Sequence, residues 1–412
     1  MSRSPLRVGL LGAGTVGREV ALGLLRFGER LTAHGGPPLE LAAVAIRDVD
    51  GARARGLPAH LLTDAPAHVV ADPGIDIVVE LIGGEEPART LVAAALAAGK
   101  PVVTANKHLL AHHGLELETA ARKAAVALRF EAAVGGGTPV LGPLAADLVA
   151  NRVASVRGIV NGTTNHILSA MAAGEGTYEE VLRDAQRRGY AEADPSADVE
   201  GRDAVNKLVV LARLAFGEWL DPACVVDRTP AGRATGRPGI TGVSVADLQG
   251  AAALGLAIRL IASATRDKDG EISASVVPTA VPADSPLGRT DGVRNRIEIR
   301  GEPVGLVGFD GPGAGGAATS SAVLADLAAI ARGAGSTWGG LPPAVRGSSS
   351  PPATDVTTWT RRWFAFVPGL PKGRLPAESS VDLPTGTAIR TPLLRIDELP
   401  DSLDVPWYPI DD

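Results

Sequence analysis

Short apolar runs alternate with longer amphipathic ones along the first third of the chain. Residues 7–11 form a brief apolar run that predicts a strand, and a helix is expected from about 17 to 27. Residues 39–46 predict a second strand, which ends at Arg47 and Asp48. Residues 75–81 predict a third, which ends in Gly83 and Gly84. After a helix over 88–98, residues 100–104 supply a fourth strand. Strands that alternate with helices imply a parallel sheet covered on both faces. At 131–139 the composition shifts to the glycine-rich loop EAAVGGGTP, which marks a first domain boundary.

The pattern then becomes mixed. Residues 153–160 read as a strand, and 164–172, 178–188, 203–216 and 245–264 as helices. Strands are expected over 271–278, 294–301 and 304–309, and a helix over 321–332 after GPGAGG at 311–316. This predicts an α+β domain with a mainly antiparallel sheet. Residues 343–412 hold eleven of the 31 prolines, which excludes a helical domain there. GSSSPP at 347–352 reads as a linker, and 357–367 and 388–396 as strands. The expected organisation is an α/β nucleotide-binding domain over 1–135, with the chain returning to it at about 310–342. An α+β catalytic and dimerisation domain follows over 136–309, then a proline-rich extension over 343–412.

The net charge of -6 argues against broad electrostatic capture of nucleic acid or of an anionic membrane. One cysteine, Cys224, excludes an internal disulfide framework and fits a reducing, cytoplasmic setting. No run of about 20 uninterrupted apolar residues predicts a spanning helix. Lysine is scarce: Lys100, Lys107, Lys123, Lys207, Lys268 and Lys372 stand among 40 basic residues. Arginine cannot give up its proton near neutral pH, whereas a lysine in a suitable environment can.

Gly12, Ala13, Gly14, Thr15, Val16 and Gly17 spell G-x-G-x-x-G between the first strand and the first helix. The first glycine permits the turn, the second lets backbone approach a pyrophosphate, and the third lets helix and strand pack closely. The helix N-terminus then faces the anion, as in a Rossmann dinucleotide site. At the end of the second strand an acid would hold the ribose hydroxyl of NAD, and an arginine the 2′-phosphate of NADP. Arg47 tilts the expectation toward NADP, and Asp48 keeps NAD as the alternative.

On the helix expected over 203–216, Asp203, Lys207, Val210 and Leu214 share one stripe. A carboxylate–lysine pair at that spacing is usually a surface ion pair. This one lies among apolar positions, so its neighbourhood should be buried. A lysine made less basic in a cleft is a candidate proton donor; the alternative is a buried structural salt bridge. Just upstream stand Glu192, Asp194, Asp198, Glu200 and Asp203, a set suited to an ammonium-bearing substrate or to a divalent metal.

These motifs resemble homoserine dehydrogenase, an NAD(P)-dependent family. The resemblance runs from about residue 7 to 332. It is carried by GAGTVG at 12–17, VVELIGG at 78–84, GKPVVTANK at 99–107, EAAVGGGTP at 131–139 and NGTTNHIL at 161–168. GYAEADPSADVEGRDAVNK at 189–207 and GPGAGG at 311–316 complete the series. The resemblance implies reversible reduction of L-aspartate 4-semialdehyde to L-homoserine. It implies that Lys207 is the acid–base residue, that Asp203 contacts substrate and orients it, and that Lys107 stands between nicotinamide and substrate. Glu192 and Asp198 would join Asp203 and Lys107 in holding the substrate. Gly83, Lys107 and Gly313 would join the glycine motif and Arg47 around the cofactor. Glu131, Val134, Gly136 and Thr138 would form a monovalent-cation site, usually Na⁺, built mostly from backbone carbonyls. A homodimer is also implied.

Two departures stand out. Residues 343–412 lack a clear ACT pattern, although RRWFAFVPG at 361–369 is faintly similar to its first strand, so threonine feedback is in doubt. Ala318 stands before Thr319 where the family has proline. The alternatives are a dehydrogenase of another amino-acid semialdehyde and a non-catalytic NAD(P)-sensing protein.

Overall fold

Six short strands build a wholly parallel sheet: β1 (Leu6–Leu11), β2 (Leu39–Ala45), β3 (Leu62–Thr63), β4 (Ile77–Glu80), β5 (Val102–Thr104) and β6 (Leu128–Arg129). Their order is β3-β2-β1-β4-β5-β6. The computed structural model describes residues 4–32, 35–54, 56–231, 234–346, 359–369, 377–399, 403 and 405–411. The chain divides into two compact units. The first takes Met1–Arg152, Val209–Asp221 and Gly311–Gly347; the second takes Val153–Leu208, Pro222–Asp310 and Ser348–Asp412. The expected linker at 347–352, Lys372 and the start of the expected strand over 357–367 lie outside the described residues.

In the first unit, the strands are apolar nearly throughout because helices shield both faces. Every residue of β4 is buried. Helix α1 (Thr15–Leu31) supplies Val20, Ala21 and Leu24 to the cluster that holds Val8 and Leu10 of β1. Short helices α2 (Val49–Ala54), α3 (Pro66–Ala71) and α4 (Ala88–Ala97) connect the strands. Val69 of α3 fits where Gly9 of β1 has no side chain; a Cβ there would lie 2.6 Å from its Cγ1. Lys100 has a structural task, since its Nζ donates to the carbonyl of Val70 at 2.7 Å and to that of Asp72.

Helix α5 (Lys107–Ala124) is absent from the expectations above. Asn106 caps it by accepting from the Leu109 amide, and Leu109, Leu110, Leu117 and Ala121 form its buried stripe. Glu118 in the same helix is 1% exposed and pairs bidentately with Arg213, which is 0% exposed. Arg122 and the Trp219 indole also donate to Glu118. The short helix α6 (Leu141–Ala145) follows.

The second unit is built on a five-stranded sheet. Strand β7 (Arg152–Ile159) begins it, followed by helices α7 (Gly162–Ala172), α8 (Tyr178–Arg187), α9 (Ser196–Val199) and α10 (Arg202–Phe216). The first unit receives β8 (Glu218–Trp219), and the second has the hairpin β9 (Arg228–Ala231) and β10 (Ala234–Pro238). Helix α11 (Val245–Ala253) opens on a capping box between Ser244 and Asp247.

The helix expected over 245–264 stops early. Gly255 takes φ +72°, a left-handed turn that ends α11, and residues 256–266 form strand β11 (Leu256–Arg266). This segment carries Ile258, Ile261 and Thr265, and it pairs antiparallel along its whole length with β12 (Ile272–Pro282). Strands β13 (Arg294–Glu302) and β14 (Gly305–Pro312) complete the order β12-β11-β7-β13-β14. The first unit then takes helix α12 (Gly316–Ala331), whose Val323 and Leu327 join the α1 cluster, and β15 (Val345–Arg346), which pairs with β8.

The described part of 359–411 folds within the second unit. Strands β16 (Thr360–Arg361) and β20 (Leu394–Arg395) pair antiparallel. Strands β17 (Trp363–Pro368), β18 (Ser379–Leu383), β19 (Gly386–Arg390) and β21 (Tyr408–Pro409) form an antiparallel sheet in the order β18-β19-β17-β21. The expected strand over 388–396 is therefore two pieces broken by Pro392, and β18 is unforeseen. One sheet face meets α11, where Gly250 leaves room for Phe364, Phe366 and Ala388. The other buries Trp363, Val367, Ile389 and Trp407.

Candidate active site

The first unit presents a glycine cradle at the end of β1. Gly12 takes φ +96°, and a Cβ on it would lie 2.7 Å from the Leu81 carbonyl oxygen. A Cβ on Gly17 would lie 2.1 Å from the Gly12 carbonyl oxygen, so helix and turn touch there. Gly14 differs: a Cβ on it would meet nothing within 4 Å. Gly14 is also the N-cap of α1, with no side chain capping it, so the first-turn amides around Thr15 and Val16 have no side-chain cap. These features fit a dinucleotide pyrophosphate.

A crevice of about 550 Å³ opens beside the cradle. Gly12, Ala13 and Gly14 line it with Arg47, Asp48 and Gly83, among others. Arg47 is exposed, and the Asp48 carboxylate accepts from the Gly51 amide at 2.9 Å, so it caps α2. Glu80, buried at the end of β4, holds the lining residues Ile82 and Gly83 in place. It accepts from the amides of Ile82 and Gly83 at 2.8 and 3.0 Å and from the Thr104 hydroxyl at 2.6 Å. Sequence reasoning missed Glu80; its place at the end of an apolar strand was the available signal. Asn106 then ties the Gly84 carbonyl to the start of α5, and Lys107 is the first residue of that helix.

Two glycine-rich motifs meet in the same unit. The Gly137 amide donates to the Pro312 carbonyl at 3.1 Å, and a Cβ on Gly136 would lie 2.6 Å from the Gly313 carbonyl oxygen. Glu131 is buried, and its carboxylate accepts from the amides of Val140, Leu141 and Gly142 at 2.8, 2.9 and 2.6 Å. Burial, opposed by these bonds, pushes Glu131 above the usual carboxylate value. Its carboxylate is thus committed to backbone amides. The buried hydroxyl of Thr138 has no hydrogen-bond partner among the described residues, and Val134 is 0% exposed. An unpartnered buried hydroxyl suits a bound cation. Among the described residues no group of three or more histidine, cysteine or acidic side chains could hold a metal ion.

In the second unit, part of the acidic run converges on a lysine. Lys207 is 8% exposed, and its Nζ donates to Asp203 Oδ2 and to the Val160 carbonyl, each at 2.7 Å. Asn161 bridges the carboxylates: its Nδ2 donates to Asp198 at 2.7 Å and to Asp203 at 2.9 Å, while its Oδ1 caps α7. Burial, and then the charge of Asp203, push Asp198 above the ordinary aspartate value. Glu192 is exposed, Asp194 accepts from the Ser196 amide, and Glu200 pairs with Arg202. Asn161 and Asn295, which donates to the Val160 carbonyl at 3.0 Å, were missed because a neutral amide carries no charge pattern.

A parallel-sheet dinucleotide domain, joined in one chain to a unit that holds a buried lysine against a carboxylate, is the arrangement of a dinucleotide-dependent oxidoreductase. Known proteins narrow that class. The family model for the homoserine dehydrogenase NAD-binding domain matches residues 12–131, and that for homoserine dehydrogenase matches 139–328. Homoserine dehydrogenase of Corynebacterium glutamicum is 42% identical over 364 residues, covering 87% of this chain and 79% of its own. That of Mycobacterium tuberculosis is 45% identical over 332 residues, covering 80% and 73%. The crystal structure of a homoserine dehydrogenase from Thiobacillus denitrificans matches with a TM-score of 0.86 at 34% identity, covering 99% of both chains. A hyperthermophilic archaeal homoserine dehydrogenase in complex with NADPH matches with a TM-score of 0.64 at 26% identity, covering 79% of this chain and 97% of its own. The chain belongs to the homoserine dehydrogenase family.

Proposed function

We propose that Lys207 is the acid–base residue for reversible reduction of L-aspartate 4-semialdehyde to L-homoserine. The observation that carries this reading is the buried Lys207 ammonium, held by Asp203 and the Val160 carbonyl. When bound, the nicotinamide supplies the hydride. As the aldehyde carbon becomes tetrahedral, its oxygen gains negative charge, and the Lys207 ammonium donates one proton to it. In the oxidative direction neutral Lys207 takes that proton back. Asp203 orients the ammonium. Asp198 and Glu192 supply carboxylates for the substrate ammonium, and Lys107 supplies a cation for its carboxylate.

In the nucleotide domain, Gly12 to Gly17 and Gly83 receive the dinucleotide, with Gly313 and Lys107 nearby in role. Asp48 is engaged as a helix cap, which leaves Arg47 to select a 2′-phosphate, so the reading favours NADP over NAD. Glu131, Val134, Gly136 and Thr138 are assigned to a structural Na⁺ or similar ion. The enzyme is assigned as a cytoplasmic homodimer in amino-acid biosynthesis. Among the described residues no helix is long and apolar enough to cross a membrane.

The test follows NADPH by absorbance with the semialdehyde, and NADP⁺ reduction with homoserine. Wild-type protein should turn over. Lys207→Ala should lower kcat by orders of magnitude while cofactor binding, read by fluorescence titration, stays within about twofold. A folded Lys207→Ala variant with wild-type kcat would reassign the proton donor.

A further inference from the structure

Strand β13 places Asn295, Ile297 and Ile299 on one face, and all three are 0% exposed. An amide at the first of these positions breaks an apolar row. Its Nδ2 donates to the Val160 carbonyl at 3.0 Å, while its buried Oδ1 has no hydrogen-bond partner among the described residues. A buried acceptor left unpaired lowers stability. Packing alone would therefore favour leucine here, and a polar residue that stands there despite the penalty needs another reason.

That reason lies in the acceptor it shares. The Val160 carbonyl takes a second bond, from Lys207 Nζ at 2.7 Å. A carbonyl oxygen has two lone pairs, so a donor on one confines the lysine to the other. The other anchor of the ammonium is built alike. Asp203 Oδ2 accepts from Lys207 Nζ at 2.7 Å and from Asn161 Nδ2 at 2.9 Å. Asn161 is itself held, because its Oδ1 caps α7. An ammonium has three N–H bonds in a tetrahedral array. Two of them go to acceptors that buried amides hold in place, so the third has one direction left.

We propose that Asn295 is a positioning residue: through the Val160 carbonyl it fixes the direction of the third Lys207 N–H, the one left for the substrate oxygen. This role rests on the acid–base part proposed for Lys207, and Asn295 acts on the reaction only through that lysine. An offset of about 1 Å in a reacting group lowers a rate on the order of a hundredfold, so the direction of one N–H bond matters.

The experiment compares full-length wild type, Asn295→Leu, Lys207→Ala and the double variant Lys207→Ala/Asn295→Leu. Tm, NADPH binding by fluorescence titration, and kcat with NADPH and the semialdehyde are measured for each. Asn295→Leu should keep or raise Tm, bind NADPH within about twofold of wild type and lower kcat about ten- to a hundredfold. In the Lys207→Ala background the same change should alter the residual rate less than about twofold, because its target is gone. A wild-type kcat in Asn295→Leu, or an equal fold-loss in both backgrounds, overturns the role of Asn295. Should Asn295→Leu not fold, Asn295→Ala is read by its kcat in the same two backgrounds. Absent turnover in wild type, or undiminished kcat in Lys207→Ala, overturns the proposed reaction and this role together. Loss of kcat in Lys207→Ala but not in the Asn295 variants overturns this role alone.

Discussion

The Arg213 guanidinium closes on the Glu118 carboxylate through two bonds, Nε to Oε2 at 2.8 Å and Nη2 to Oε1 at 2.7 Å, with both side chains out of contact with solvent. The Trp219 indole donates to the same carboxylate at 2.9 Å, and Arg122 Nε at 2.9 Å. Burial would raise Glu118, but Arg213, then the Trp219 indole and Arg122, hold it below the usual glutamate value. Removing one partner strands a buried charge, at a cost of about 3–5 kcal/mol. Arg213→Met should therefore lower the urea midpoint severely, while Glu118→Gln/Arg213→Met, which removes both charges, should recover part of the loss. A single variant within about 1 kcal/mol of wild type would show that the pair contributes little.

Gly14 and Gly17 separate binding from folding. A Cβ on Gly17 would strike the Gly12 carbonyl oxygen, so Gly17→Ala should lower Tm and affinity together. A Cβ on Gly14 meets no protein atom, so Gly14→Ala should keep Tm within a few degrees while weakening dinucleotide binding at least tenfold. Thermal melts with and without NADPH read both quantities. Equal dinucleotide affinity in Gly14→Ala would exclude close approach of the pyrophosphate there.

Arg47 is proposed to select between the two nicotinamide cofactors. A charge-assisted bond to a 2′-phosphate is worth roughly 1.5–3 kcal/mol, or about ten- to a hundredfold in affinity. Arg47→Ala should raise KM for NADPH by that factor and leave KM for NADH nearly unchanged. Parallel losses with both cofactors would remove Arg47 from phosphate selection.

Asp198 should set an acidic limb. Its protonated form is favoured in the folded protein, chiefly by burial. That preference supports folding below the ordinary aspartate value and is lost as pH rises through the folded value. If the substrate ammonium needs the carboxylate, kcat/KM should fall with decreasing pH at a midpoint above that of a free aspartate. Asp198→Asn should flatten this limb and reduce the change in Tm across the same window. An unchanged profile in Asp198→Asn would assign the limb to another group.

Much of the nucleotide domain was legible because its signals are local. G-x-G-x-x-G needs only six neighbouring residues, and β1, β2, β4 and β5 are mostly apolar along their own lengths, whereas the two-residue strands β3 and β6 carry too little pattern to be read. Helix α10 was legible for the same reason, since Asp203 and Lys207 lie one turn apart. Local signals failed at 245–264, where apolar content suits a helix and a buried strand equally and only Gly255 marked the change. They failed at α5 too, where histidines interrupt the apolar stripe. Asn161, Glu80 and Glu118 act on partners brought near by tertiary folding, and sequence spacing does not announce such meetings.

The sheet built from residues 363–409 also serves as a lid over α11. Phe364 and Phe366 lean on Gly250, Asp411 pairs with Arg157 of β7, and the Asp411 amide bonds the Ala280 carbonyl of β12. Trimming the gene after residue 343 to obtain a minimal catalyst would uncover this greasy floor and cut an anchoring ion pair. The expected product is an insoluble fragment rather than a streamlined enzyme.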